Sequence, residues 1–200
     1  MEHGFEPHPS GAFIALSDGE RALLVSLGRQ TIAMLADRAE PSSRDPLADL
    51  VGIGSHDQLP EDPVLARILP SGYADDGDAR EFRRFTEVEL LRGKLAAAQS
   101  VMAAIEAADR FVIVGPEDQY DWLTFLNDLR LALGTRIGVR EDTMEELSKV
   151  TDDDPRLPML LVYDWLTYVQ GSLVEMLMLQ LPDAGVDADE SGPSPATGAP

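Results

Sequence analysis

GPEDQYDWLTFLNDLRLALGTRIGV, residues 115–139, is the stretch around which the rest of the chain must be built. At about 100° per residue, Trp122, Leu126, Leu129 and Leu133 fall in one narrow arc, with Phe125 and Ala132 on one shoulder and Leu123 and Ile137 on the other. More than half of the circumference is then apolar, and such a helix belongs among others. The expectation is an all-α helical bundle around this central Trp-bearing helix, running from Pro116 to Val139.

Outward from this post the same grammar recurs. Phe111-Val112-Ile113-Val114 reads as a strand, and Gly115-Pro116 then opens the helix with Pro in its first turn. Near the N-terminus Ala12 to Leu16 is short and apolar, and Ser17 with Glu20 three residues on is a capping box. A helix from there to about Arg38 follows, burying Leu23, Leu27 and Met34. A lone strand leaves its backbone unpaired, so Phe13 to Leu16 and Phe111 to Val114 are expected to pair as a two-stranded ribbon. Residues 1–11 read as a flexible lead.

Between Ala39 and Ala79 the composition shifts to Pro, Ser, Gly and Asp, with apolar segments at Leu47 to Val51 and Val64 to Leu69. One or two short helices are expected there, Pro63 suiting a first turn and Pro70 a stop. A long helix from about Asp78 to Ala108 aligns Leu91, Leu95, Ala98, Met102 and Ile105, and pairs Arg83 with Glu87. Arg140 to Val150 reads as a short acidic helix and Asp152 to Asp154 as a loop and cap. The last helix, Pro158 to Leu181, presents Val162, Trp165, Leu166, Val169, Leu173, Met176 and Leu177 on one face, and Gly171-Ser172 lets a neighbouring helix come close. Residues 182–200 contain four acids and no base, the composition of a disordered tail. One domain, 12–181, results.

Charge narrows the functions. The formal net charge is -20, from 16 basic and 36 acidic residues, which opposes polyanions and suits cationic protein partners. With no cysteine there is no disulfide, thiolate nucleophile or thiol redox switch. No stretch of roughly 18 uncharged apolar residues exists to span a membrane, and the N-terminus lacks a signal-like pattern, so a cytoplasmic protein is expected.

Few residues offer chemistry. His3, His8 and His56 lack helical partners at metal-ligand spacing, the acidic runs lack calcium-loop spacing, and no GxxxxGK[ST], GxGxxG, GxSxG or HExxH occurs. No catalytic residue, metal or cofactor is expected. Tyr120-Asp-Trp-Leu-Thr124 recurs as Tyr163-Asp-Trp-Leu-Thr167, which reads as two similar helix starts facing each other. The simpler account of Trp122 and Trp165 is core packing, with a paired ligand cage as the alternative. Arg130, on the shoulder of the apolar helix, reads as a structural arginine holding two helices together, with ligand binding as the alternative, and burial would demand a carboxylate partner. Leu131 to Val139 followed by Arg140 to Leu147 has the outline of a helix-turn-helix, yet its second helix offers Glu141, Asp142, Glu145 and Glu146 where base readout needs donors. The dense basic cluster Arg80, Arg83 and Arg84 is the remaining candidate for a partner or nucleic-acid contact.

The strings DPVLARILP (62–70), EFRRFTE (81–87), LNDLRLALGTR (126–136), YDWLT (163–167) and QGSLV (170–174) carry a resemblance. They are similar to an actinobacterial domain-of-unknown-function family labelled oxidative-stress transcriptional regulators of the AosR type, over roughly residues 12 to 180. The resemblance implies a cytoplasmic, non-enzymatic regulator, and it transfers no site residues. Two mechanisms follow. The protein regulates transcription, by docking on the transcription machinery or by touching DNA through Arg80, Arg83 and Arg84; alternatively it is an acidic adaptor for another protein. A homodimer stays open.

Overall fold

The computed structural model describes residues 3–39, 58–139 and 153–180. In chain order the elements are β1 (Phe5–His8), β2 (Gly11–Ala15), α1 (Asp18–Ala39), α2 (Pro63–Ile68), α3 (Asp76–Ala107), β3 (Phe111–Val114), α4 (Gln119–Ile137) and α5 (Leu157–Gln180). The helical bundle expected from the sequence is present. Among the described residues its ribbon has three strands, not two, in the antiparallel order β1-β2-β3.

The pairing of β2 with β3, Phe13 opposite Ile113 and Ile14 opposite Val112, is the pairing that the capping-box and Gly-Pro signals imply. The added strand comes from the segment read as a flexible lead. Phe5 lies opposite Ile14, is buried, and packs edge-on against Trp122 with ring centroids 5.4 Å apart. Its amide donates to Ser172 Oγ on α5 at 2.8 Å. A strand with one inward aromatic shows little alternation, which is why composition alone reads it as loose.

Local chemistry sets the helix ends. Ser17 N and Oγ donate to Glu20 Oε2 at 2.9 and 2.7 Å, so the capping box forms as written. Asp62 Oδ1 accepts from Val64 N ahead of α2, and Asp75 Oδ1 accepts from Gly77 N and Asp78 N, starting α3 slightly earlier than the apolar pattern suggests. Pro116 sits in a turn, closed by Asp118 N to Gly115 O, and α4 begins only at Gln119. At the other end Gly138 adopts φ 71°, a left-handed cap that favours glycine, and Val139 N returns to Gly134 O at 2.8 Å.

The core gathers Trp122, Phe125, Leu126 and Leu129 of α4 with Val101, Met102 and Ile105 of α3, Trp165, Leu166, Val169 and Leu173 of α5, and the inward side chains of the sheet. A second cluster joins Leu35 of α1, Val64, Leu65 and Ile68 of α2, Leu91 and Ala132. The buried line of α1 is Glu20, Leu24, Gly28, Thr31 and Leu35, while Leu23, Leu27 and Met34 lie at its margin. The reason is close approach: a Cβ on Gly28 would come 2.5 Å from Met102 Sδ and 3.1 Å from Phe125, so the small residues mark the contact.

The expected helices at Leu47 to Val51 and Arg140 to Val150, the second half of the helix-turn-helix outline, and the tail lie outside the described residues, as does His56. No helix among the described residues is long and apolar enough to cross a membrane.

Candidate protein-docking surface

The basic cluster divides when the helix forms. Arg83 turns inward and is only 6% exposed, its Nη1 donating to Glu87 Oε2 at 2.6 Å and to Leu69 O at 3.4 Å. Glu87 Oε1 accepts from Arg38 Nε at 2.8 Å, and Arg38 Nη2 donates to Gln58 O. Arg83 therefore ties α3 to α1 and to the end of α2, through the i,i+4 pair read from the sequence. A buried pair completed on both sides is a structural clamp. Arg80 and Arg84 remain exposed, among exposed Asp76, Asp78 and Glu81.

The two tryptophans do not form a cage. Both belong to the main core, Trp122 1% and Trp165 3% exposed, but they sit at different places on their helices, Trp122 in the first turn of α4 and Trp165 in the third of α5. The two helices run antiparallel, because Arg130 meets Thr167 and Gln170 while Gly134 faces Tyr163. That register carries Trp122 towards the C-terminal half of α5 and Trp165 towards the C-terminal half of α4. The repeated pentapeptide is thus two core segments and not two facing helix starts. Trp165 Nε1 is buried without a hydrogen-bond partner.

Arg130 finds no carboxylate among the described residues. Its Nε donates to Thr167 Oγ1 at 3.0 Å, its Nη1 to Gln170 Oε1 at 2.7 Å, and the guanidinium lies over the Tyr163 ring at 5.6 Å. Only half-buried, it keeps water on one side, and neutral oxygens suffice. It holds α4 to α5. A buried ion pair does occur between α3 and α4, at Lys94 and Asp128, which the sequence reading passed over because Lys94 stands among exposed charges and Asp128 inside an apolar run.

No group of three or more His, Asp or Glu that could hold a metal ion is found among the described residues. His8 Nδ1 accepts from Ser10 N, and its ring packs edge-on to Phe13.

What the surface does offer is apolar. At the head of α3, Phe82, Phe85 and Leu90 are 43%, 56% and 42% exposed, and Tyr73 stands edge-on to Phe82 with centroids 5.3 Å apart. A shallow groove beside them is lined by Leu69, Pro70, Gly72, Phe82, Thr86 and Leu90, with the Arg83 and Glu87 pair beneath. Gly72 makes room for the aromatic, since a Cβ there would lie 2.8 Å from the Phe82 ring. Exposed apolar side chains beside a groove on so charged a chain make this surface the candidate for a partner contact. The signal was present in the sequence as Phe82 and Phe85, which fall off the buried arc of their helix.

Comparison with known proteins supplies the relatives. The family described as Domain of unknown function (DUF2017) matches residues 2–177. Over 179 residues the chain is 32% identical to the oxidative stress regulator AosR of Mycobacterium tuberculosis, covering 82% of this chain and 81% of the relative. It is equally similar to the protein of the same name from Mycobacterium bovis. No solved structure matches.

Proposed function

Because the chain belongs to the family described as Domain of unknown function (DUF2017) and is 32% identical to proteins named oxidative stress regulator, we propose that it is a regulatory protein of the oxidative stress response that acts through protein contacts. In this reading it is not an enzyme, it works in the cytoplasm, and its partner belongs to the transcription machinery.

The observation that carries the reading is the exposed apolar group around the N-terminal half of α3, Tyr73, Phe82, Phe85 and Leu90, beside a groove. Arg83, the middle member of the basic cluster, is withdrawn beneath that same groove. The region therefore supplies apolar contact area and little positive charge, a combination that fits a protein partner better than a phosphate backbone. Since the chain has no cysteine, an oxidant signal would reach it through its partner or through another chemistry than thiol oxidation.

Affinity capture of the full chain from its own cytoplasm, with nuclease treatment, tests this. A polypeptide should stay bound after nuclease and be lost from Phe85→Glu, a surface change outside the core. Capture that needs nucleic acid, or that ignores Phe85→Glu, overturns the proposal.

A further inference from the structure

Helix α5 is apolar on more than the face it buries. Leu161, Tyr168 and Leu179 are 49%, 52% and 78% exposed, and with Asp164, Gly171, Glu175 and Met178, also exposed, they fall within an arc of about 100°. Their spacing, alternately three and four residues, is that of a seam that receives another helix. The buried face already has its neighbours: Ser172 takes the β1 amide, and Thr167 and Gln170 take Arg130.

Gly171 lies in the middle of this outer arc. A glycine weakens a helix interior, and a Cβ at Gly171 would meet nothing within 4 Å, so no described neighbour calls for its small size. The neighbouring helix expected at Gly171-Ser172 is not the element that comes close: among the described residues the N-terminal strand does, through Gly4 and Phe5, on the Ser172 side. A partner's backbone crossing at Gly171 would use the space.

Charge selects the partner. Helix α5 contains no Lys or Arg, and its two acids, Asp164 and Glu175, both stand on the outer arc, about three turns apart, with Gly171 between them. Neither meets a cation among the described residues. A second copy of this chain would bring the same two carboxylates and a net charge of -20. A membrane surface would demand a basic rim around the apolar strip, and α5 itself supplies no Lys or Arg for one. We infer that the outer face of α5 is a docking site for a basic amphipathic helix, whose apolar side chains cover Leu161, Tyr168 and Leu179 and whose Lys or Arg flank the seam to meet Asp164 and Glu175. This face is separate from the head of α3, so its occupant can fail while the regulatory reading stands.

The probe is a synthetic helix of three heptads, Leu at the seam positions and Lys beside them, labelled for fluorescence anisotropy, with a Glu-for-Lys twin as control. The full chain should bind the Lys peptide and ignore the twin. Asp164→Lys/Glu175→Lys should weaken the Lys peptide by about tenfold or more and gain the Glu peptide. Glu81→Lys/Glu106→Lys, the same charge change placed elsewhere on the surface, should leave a much smaller effect. Circular dichroism confirms that each variant is folded. Equal losses from the two double variants would mean bulk charge alone, and failure of the swapped pair would overturn the site. So would light scattering showing a dimer of the chain that Tyr168→Glu dissociates, which assigns the face to a second copy.

Discussion

Lys94 Nζ, from the middle of α3, meets Asp128 Oδ1, from the middle of α4, at 2.6 Å, where the side chains are only 12% and 3% exposed. Burial pushes the Asp128 carboxyl above its ordinary value of 3.8, and the charge and hydrogen bond of Lys94 pull it down only in part. Burial costs the carboxylate more than its hydrogen bond to Lys94 returns, which is the direction of the shift. Lys94→Met, which leaves the carboxylate alone among apolar groups, should therefore cost about 3–5 kcal/mol in urea unfolding, and Lys94→Met/Asp128→Leu should recover most of that.

The same pair fixes the sign of one pH effect. A carboxyl whose folded value is raised holds its proton longer in the native state than in the unfolded chain, so its contribution to stability is present below 3.8 and is lost as pH climbs through the folded value. Relative to Asp128→Asn, the parent should lose thermal midpoint as pH rises out of the ordinary carboxylate range. Parallel midpoints for the two proteins across that window would show that Lys94 fully compensates the burial.

Trp122→Ala should cost about 3–5 kcal/mol, because the indole is 1% exposed and touches both the sheet, through Phe5, and the helical core. Tyr120→Ala, two residues earlier and 75% exposed, should stay within about 0.5 kcal/mol of the parent. Chemical unfolding of the two variants tests whether the pentapeptide stabilises the fold through its buried indole alone.

Much of this fold was legible because burial leaves a periodic trace: the faces of α4 and α5 and the pairing of β2 with β3 follow from spacing, caps and turn residues alone. Where contacts depend on small residues the trace fails. The line of α1 runs through Gly28 and Thr31, and no apolar count finds it. The site was less legible still, for an arginine's direction is set by its partners in space. The i,i+4 spacing sets Arg83 apart from Arg84 by pairing it with Glu87, but that the pair is buried as a clamp depends on Leu69 and Arg38, which the sequence places far away.

The N-terminal strand gives the next prediction. A Cβ on Gly4 would fall 2.7 Å from Ser172 Oγ, the atom that receives the Phe5 amide. Gly4→Val should then cost about 1–3 kcal/mol by overpacking, and Phe5→Ala about 3–5 kcal/mol. Thermal unfolding of both is the measurement. Neutral values would return residues 1–11 to the role of a flexible lead.

The last expectation concerns DNA. Each phosphate contact releases counterions, so duplex binders gather several Lys and Arg on one face and lose affinity steeply with salt. Here Arg83 is consumed by Glu87 and Leu69 O, and the surface keeps Arg80 and Arg84 beside Asp76, Asp78 and Glu81. Two exposed guanidinium groups in this cluster, set in a net charge of -20, are expected to hold no duplex at physiological salt. Titration of labelled random duplex at about 50 and 150 mM salt should show no saturable binding by the isolated chain at either concentration. The informative variant is Arg80→Ala/Arg84→Ala, which spares the fold, because Arg83→Ala would strip Glu87 of one of its two cations and unfold the head of α3 for reasons unrelated to DNA. Binding at about micromolar strength that weakens with salt and disappears in that double variant would make direct DNA contact the mechanism, and the aromatic head of α3 a structural feature only.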